Sequence, residues 1–370
     1  MKLIILKTNL VEGLNAVEGS VGSDANLPIL KNVFLGTEGN QIIITSTNLE
    51  LAIRRIVSGK IIETGAITVP FSVFNNIVKN LNTERVTFEK KSGNLMVLTD
   101  NYEALILIQD PKDFPIIPNI QNKKNSIKTG VEPLREALSN TIVAAQFSDI
   151  RPEISGVLLN LSGNKLTLVA TDSFRLAEIT IDPNQVHSNL KETAVIIPLK
   201  TATEVLRILN AEREGSAEIF IDQNQILFEI GNSYVISRLV DGKFPDYQAI
   251  VPRETKNEIS FSREEMMNAI KLAKVFAGRA NDVSLVVGDN GKFLEVYSSD
   301  ASLGENRYRL PIKLKGSKFK ISFNWRYLMD GLKIYKGEEV VLGMNDPDRA
   351  VALRNPGEPL LLYIAMPIKS

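Results

Sequence analysis

A strand that runs into a helix recurs three times in this chain, and that recurrence constrains the fold more than any other feature. The middle copy is Val195–Asn210, VIIPLKTATEVLRILN. An earlier copy is Ile67–Asn82, ITVPFSVFNNIVKNLN, and a later one is Ile321–Lys336, ISFNWRYLMDGLKIYK, with Asn324 where the others carry proline. Each opens on apolar alternation, passes a turn or N-cap residue, and then places apolar residues at helical spacing for about three turns. The copies begin 128 and 126 residues apart. Solenoid units run to about 20–50 residues, so this spacing describes three copies of one domain.

Other landmarks keep the same phase. Ile44–Arg55, ITSTNLELAIRR, returns as Leu168–Thr180, LVATDSFRLAEIT, and more faintly as Val296–Leu310. The pattern predicts a helix ahead of each, over Thr8–Val21, Val131–Ala145 and Ser262–Ala277. Asp113-Phe114-Pro115 and Phe244-Pro245-Asp246 close the first two copies. The polar stretches Ile120–Thr129 and Arg253–Asn257 read as linkers, which divides the chain into 1–120, 121–252 and 253–370. Strands rich in Ile, Val, Leu, Thr and Phe, with hairpin turns such as Ser92-Gly93-Asn94 and Asp289-Asn290-Gly291, predict an α+β domain with antiparallel sheet and two helices on one side.

Several function classes fall away for want of parts. With no Cys and a single His, His187, disulfides, Cys/His metal sites and a cysteine nucleophile are excluded, and no cofactor is expected. No phosphate loop, nucleophile elbow or dinucleotide fingerprint occurs. Asp172, at a strand end, reads as the cap of the turn that follows it rather than as a catalytic carboxylate. The longest apolar run, Leu360–Ile368, is nine residues, where a membrane span needs about 20, so no membrane partner is expected and the chain reads as cytoplasmic.

The charge balance is 43 basic against 43 acidic residues, which argues against a generally basic nucleic-acid binder. Its distribution is uneven, with 11 against 12 in residues 1–119, 13 against 16 in 120–250 and 19 against 15 in 251–370. Cations gather in the repeated helices, Lys79, Lys200, Arg207 and Lys336 among them. They are either solvated helix faces or a surface whose local field attracts a polyanion.

Thr171–Ala177, TDSFRLA, together with Leu27–Leu30, Leu239–Tyr247 (LVDGKFPDY) and Tyr363–Lys369 (YIAMPIK), resembles the beta sliding clamps of bacterial DNA polymerase III over the whole chain. The resemblance implies three tandem DNA-clamp domains closing as a head-to-tail homodimer, a ring of six domains around duplex DNA. It implies a non-enzymatic processivity factor whose partners are double-stranded DNA and, through short linear motifs, the polymerase catalytic subunit, the clamp loader and repair proteins. Carried over by position, Lys79, Lys200, Arg207, Asn324, Tyr327 and Lys336 would face DNA. A peptide-motif groove would be built from Arg151, Ile154, Thr171, Ser173, Phe174, Arg175 and Leu176, with Pro245, Ile250, Val351, Ile364, Met366, Pro367 and Ile368. Ile106, Val275 and Phe276 would lie at the dimer interface, although packing within each domain explains them as well.

The chain departs from the family at several positions. Ser173 and Phe174 stand where relatives often have Gly and His, which implies a different groove rim. Asp24, Pro152 and Glu153 replace residues that touch DNA, which implies weaker contacts there. A monomeric peptide-binding scaffold and a carboxylate hydrolase around Asp172 remain the alternatives.

Overall fold

The computed structural model describes residues 1–118, 120, 123–252 and 254–368. The expected linkers and the chain-end motif fall partly on Gln121, Asn122, Arg253 and Lys369, which lie outside the described residues. The paired strands are antiparallel throughout the described ladders. No helix among the described residues is long and apolar enough to cross a membrane.

By contact the chain forms two compact units, one of residues 1–134, 187–190 and 203–239, the other of 135–186, 191–202 and 240–370. The first unit holds a five-stranded sheet in the order Gly59–Glu63, Lys2–Leu6, Arg85–Lys91, Asn94–Leu98, Glu103–Leu107. Ser92 and Gly93 both have positive φ, which gives the two-residue hairpin turn whose twist suits antiparallel strands. A nine-stranded sheet follows the order Val186–Ser188, Ser126–Gly130, Ser216–Ile221, Gln225–Ile230, Ser233–Arg238, Leu51–Val57, Gln41–Thr47, Asn32–Glu38, Ala66–Pro70.

The second unit repeats this construction. Its nine-stranded sheet runs Glu192–Pro198, Gly156–Ser162, Lys165–Thr171, Arg175–Ile181, Leu361–Ala365, Val351–Arg354, Glu339–Met344, Asn257–Ser262, Lys313–Lys315. A four-stranded sheet runs Gly304–Pro311, Phe293–Asp300, Asp282–Val287, Lys320–Asn324.

Among the described residues, six α-helices accompany the sheets: α1 Lys7–Val17, α2 Phe71–Asn80, α3 Val131–Ile142, α4 Leu199–Ala211, α5 Arg263–Ala273 and α6 Trp325–Lys333. Their apolar residues fall at helical spacing. Helix α1 buries Leu10, Leu14 and Val17, and α5 buries Met266, Ile270 and Ala273. Ser262 caps α5 by accepting from the Glu265 amide, the start signal that its sequence predicts. Short 3₁₀ turns, Glu18–Ser20 and Lys274–Phe276, continue α1 and α5. Gly331 lets α6 lie against the Tyr363 ring, since a Cβ there would stand 2.5 Å from that ring. The Tyr363 hydroxyl then donates to the Tyr327 carbonyl at 2.8 Å.

Local detail shows how closely the copies agree. Leu49 and Ser173 lie 124 residues apart and have φ of +76° and +77°, a left-handed conformation that non-glycine residues rarely adopt. Both turns are tied alike. The Leu49 amide donates to Thr47 Oγ1 at 3.0 Å and the Ser173 amide to Thr171 Oγ1 at 3.1 Å. Asn48 Oδ1 accepts from the Leu51 amide at 2.8 Å, and Asp172 Oδ1 from the Arg175 amide at 2.9 Å. Asp172 is thus a turn cap.

Candidate peptide groove and charged helix positions

The second nine-stranded sheet joins its halves where strand Arg175–Ile181 pairs with Leu361–Ala365, Leu176 opposite Ile364 and Glu178 opposite Leu362. Directly paired residues share a face and neighbours along a strand alternate. One face therefore carries Leu158, Val169, Leu176, Ile196, Ala352 and Ile364, which pack with Phe244 and Tyr247 into an apolar cluster. Val240, Val251, Leu362 and Met366 lie half-covered against it and leave an apolar surface at the sheet join. Phe244 and Tyr247 meet edge to face at 6.2 Å. Burial, with the Glu178 carboxylate second, pushes the Tyr247 hydroxyl well above the usual tyrosine range, so it stays protonated.

A charged corner bounds this surface. Arg175 Nε donates to Asp172 Oδ2 at 3.0 Å, and its Nη1 donates to Asp330 Oδ2 at 2.6 Å. Its guanidinium lies 4.8 Å from the Tyr327 ring centre, and Tyr327 stacks at 6.4 Å on Phe174, which is 58% exposed. Arg151 Nη1 donates to Ser173 Oγ at 3.0 Å. The chain end is pinned here, with the Met366 amide donating to the Phe174 carbonyl at 2.7 Å and the Ile368 amide to Ser322 at 2.8 Å.

Most of the expected groove residues therefore meet. Leu176, Ile364 and Met366 belong to the apolar cluster, with Thr171, Ser173, Phe174, Arg175 and Arg151 in or beside the turn. Pro245 is half-buried beside Phe244, and Ile250 is exposed next to Val251. Two positions differ. Val351 pairs with Ala365, which puts it on the opposite, helix-covered face with Tyr363, fully buried. Ile154 is 4% exposed within a 3₁₀ turn and lies outside that apolar cluster. Glu178, Val240, Phe244, Tyr247 and Asp330 were missing from the expected set. Phe244 and Tyr247 stand in the quoted LVDGKFPDY stretch, whereas nothing local marks Asp330, 155 residues from Arg175.

The helix cations are held unequally. Lys200 is exposed in the first turn of α4. Lys79 lies 3.8 Å from Glu18 near the end of α2. Arg207 instead donates to the carbonyls of Asn15 and Ala16 at 2.6 and 2.7 Å and to Glu204 at 2.7 Å, capping the C-terminus of α1. Asn324 caps α6 through the Arg326 amide at 3.0 Å, and Tyr327 belongs to the aromatic corner above. Lys336 lies beyond α6, which ends at Lys333, and pairs with Glu136 at 2.7 Å.

At the expected interface, Ile106 is 5% exposed and points into its own core. Leu105 and Leu107, its neighbours on that edge strand, are 60% and 79% exposed. Val275 is 58% exposed, and Phe276 packs beside Gly304 at the start of the edge strand Gly304–Pro311. No group of three or more His, Cys, Asp or Glu among the described residues could hold a metal ion.

The N-terminal, central and C-terminal domains of the DNA polymerase III beta subunit match residues 1–118, 129–246 and 248–369. The chain is 28% identical over 350 residues to the beta sliding clamp of Chlamydia pneumoniae, covering 94% of this chain and 93% of that one. It is 28% identical over 372 residues to the beta sliding clamp of Vibrio cholerae, with full coverage of both. Among solved structures, the DNA polymerase III subunit beta of Pseudomonas aeruginosa superposes with a TM-score of 0.92 at 27% identity, covering both chains fully. The sliding clamp of Bacillus subtilis does so with a TM-score of 0.93 at 25% identity, over all of this chain and 99% of that one.

Proposed function

Given that this chain belongs to the DNA polymerase III beta subunit family, we propose that two copies close head to tail into a ring around duplex DNA, and that the groove at the second sheet join tethers partner proteins. The chain is a non-catalytic processivity factor, a sliding clamp built of three clamp domains. A ring holds DNA by topology, so it needs only weak, sequence-independent attraction to phosphate. Strong contacts would stop it sliding.

The observation that carries this reading is a pair of unused edges. Within each nine-stranded sheet, a strand that ends one copy joins a hairpin strand of another: Ser233–Arg238 beside Leu51–Val57, and Leu361–Ala365 beside Arg175–Ile181. The counterparts left over are Glu103–Leu107, at the edge of the five-stranded sheet, and Gly304–Pro311, at the edge of the four-stranded one. An exposed apolar edge is an aggregation hazard unless it is covered. Pairing the two between chains would make a further nine-stranded sheet, and applying the contact twice closes the assembly. Exposed Leu105 and Leu107 on one edge, and Leu272, Val275 and Leu303 near the other, suit such a join.

Boundaries near 120 and 252 are supported by the spans of the three matched domains. Lys79, Lys200 and Lys336 are the cations assigned to DNA, with Arg207, Asn324 and Tyr327 serving structure first. The groove takes extended peptide segments from polymerases, the loader and repair proteins, its apolar floor fixing side chains and flexible Met366 adapting to different ones. Work on bacterial DNA puts the protein in the cytoplasm. The test is retention on nicked circular DNA before and after linearisation: loaded protein should stay on the circle and slide off the linear form. Equal retention on both would contradict the ring.

A further inference from the structure

The first nine-stranded sheet carries, at its own join, a cavity that the function above does not use. Register lines up Phe34, Thr45, Arg54 and Tyr234 across four adjacent strands. The same row of the second sheet is Leu158, Val169, Glu178 and Leu362. One step along, Ala52 faces Ile236 as Leu176 faces Ile364. The two places are one site in two copies of the repeat.

Their filling differs. Thr45 and Ala52 stand where the second sheet has Val169 and Leu176, and a cavity of about 450 Å³ lies over the sheet here. That volume is in the range of sites for small ligands or a few side chains. Phe114, whose ring lies 5.9 Å from that of Phe34, forms a wall with Pro111, Pro115 and Pro118. The mouth is charged. Arg54 donates to both oxygens of Glu38, at 3.1 and 2.6 Å, while Lys123 pairs with Glu229 and lies 5.8 Å from the Tyr234 ring centre. Arg54, Lys123 and Glu38 line the cavity, and each cation there already has a carboxylate partner, Glu38 for Arg54 and Glu229 for Lys123.

We propose that this cavity is a second docking site for an extended peptide segment of a partner protein, with an aromatic or leucyl side chain on the apolar floor. The choice of a peptide rests on the groove reading above, because the two sites share a backbone frame. A single chain would then hold two segments at once, and an added contact of this kind raises avidity without strengthening either site.

The experiment is a titration of the full-length protein with a pentapeptide of aspartate, leucine, phenylalanine, leucine and aspartate carrying fluorescein and a diazirine, followed by crosslinking and mass spectrometry. The expected result is two peptides per chain, with crosslinks both around Phe114 and Tyr234 and around Tyr247 and Met366. Ala52→Trp, which fills the floor, should remove the first set alone. Arg54→Glu with Lys123→Glu, at the mouth, should weaken the first set at least about 5-fold, because the new carboxylates beside Glu38 and Glu229 repel the two aspartates of the peptide, while the second set is kept. One peptide per chain crosslinked only near Met366, indifferent to both variants, would overturn the second site and leave the groove standing. Crosslinks only near Phe114 would support the cavity and overturn the groove. Crosslinks at neither place would overturn both.

Discussion

The two nine-stranded sheets join their halves in the same register, through turns with the same hydrogen bonds and the same left-handed residue, yet they present different surfaces. At the first join the turn is Asn48 to Leu51, and at the second it is Asp172 to Arg175. Asn and Asp cap the turn equally well, but the carboxylate brings a charge that is 2% exposed, and Arg175 neutralises it from the position that Leu51 holds in the other copy. The two substitutions belong together. The chain also ends differently at each join. Strand Leu361–Ala365 runs on to Met366–Ile368, which is pinned to Phe174 and Ser322, whereas strand Ser233–Arg238 leads to Leu239, whose amide donates to Asn224. A duplicated backbone fixes where a site can form, and a handful of side chains decides whether it is filled, open or charged.

The comparison can be broken most severely at the tail. Met366→Ala with deletion of 367–370 should abolish peptide binding at the second join in fluorescence anisotropy while dimer mass stays unchanged. Unchanged affinity would remove the groove assignment. Next, Arg175→Ala strands Asp172 without its cation and should lower stability by about 3–5 kcal/mol in denaturant melts. Its counterpart Leu51→Ala leaves only a cavity and should cost about 2–4 kcal/mol, with no dependence on pH near neutrality. If Leu51→Ala costs more than Arg175→Ala, the charged corner is not what holds the second turn.

Arg207→Ala removes two hydrogen bonds at the end of α1 and one to Glu204, and should cost about 1–3 kcal/mol of stability. Lys200→Glu, on an exposed helix position, should leave stability within about 0.5 kcal/mol and shorten retention on circular DNA, most at low salt and less as salt screens the contact. The smallest effect is expected for Arg54→Gln, which breaks an exposed pair with Glu38 and should change stability by less than about 1 kcal/mol.

Much of this was legible in the sequence, because repetition supplies its own control. The strand-to-helix unit, its phase and the apolar face of each helix are local patterns, and α2, α4 and α6 begin where those patterns begin. The end of α6 was not legible. The apolar spacing continues through Ile334 and Tyr335, both buried, but Glu358 accepts from the amides of Lys336 and Gly337 at 2.9 and 3.0 Å and turns the chain away from the helix. The groove was legible on its tail and on the turn at Thr171–Leu176. Val351, which the resemblance places there, lies on the other face, because strand parity follows from the pairing with Ala365, which spacing alone does not reveal. Ile106 turns into its own core for the same reason, one step of alternation from the exposed Leu105 and Leu107.

Ring closure is the claim on which the rest depends, and the mass of the particle in solution tests it most directly. Light scattering behind a sizing column, across a dilution series, should give twice the 41.0 kDa of one chain, falling to a single chain when Leu107→Asp places a charge on the free edge. A particle of one chain mass at every concentration would contradict the closed pair, and with it the account of how this protein stays on DNA.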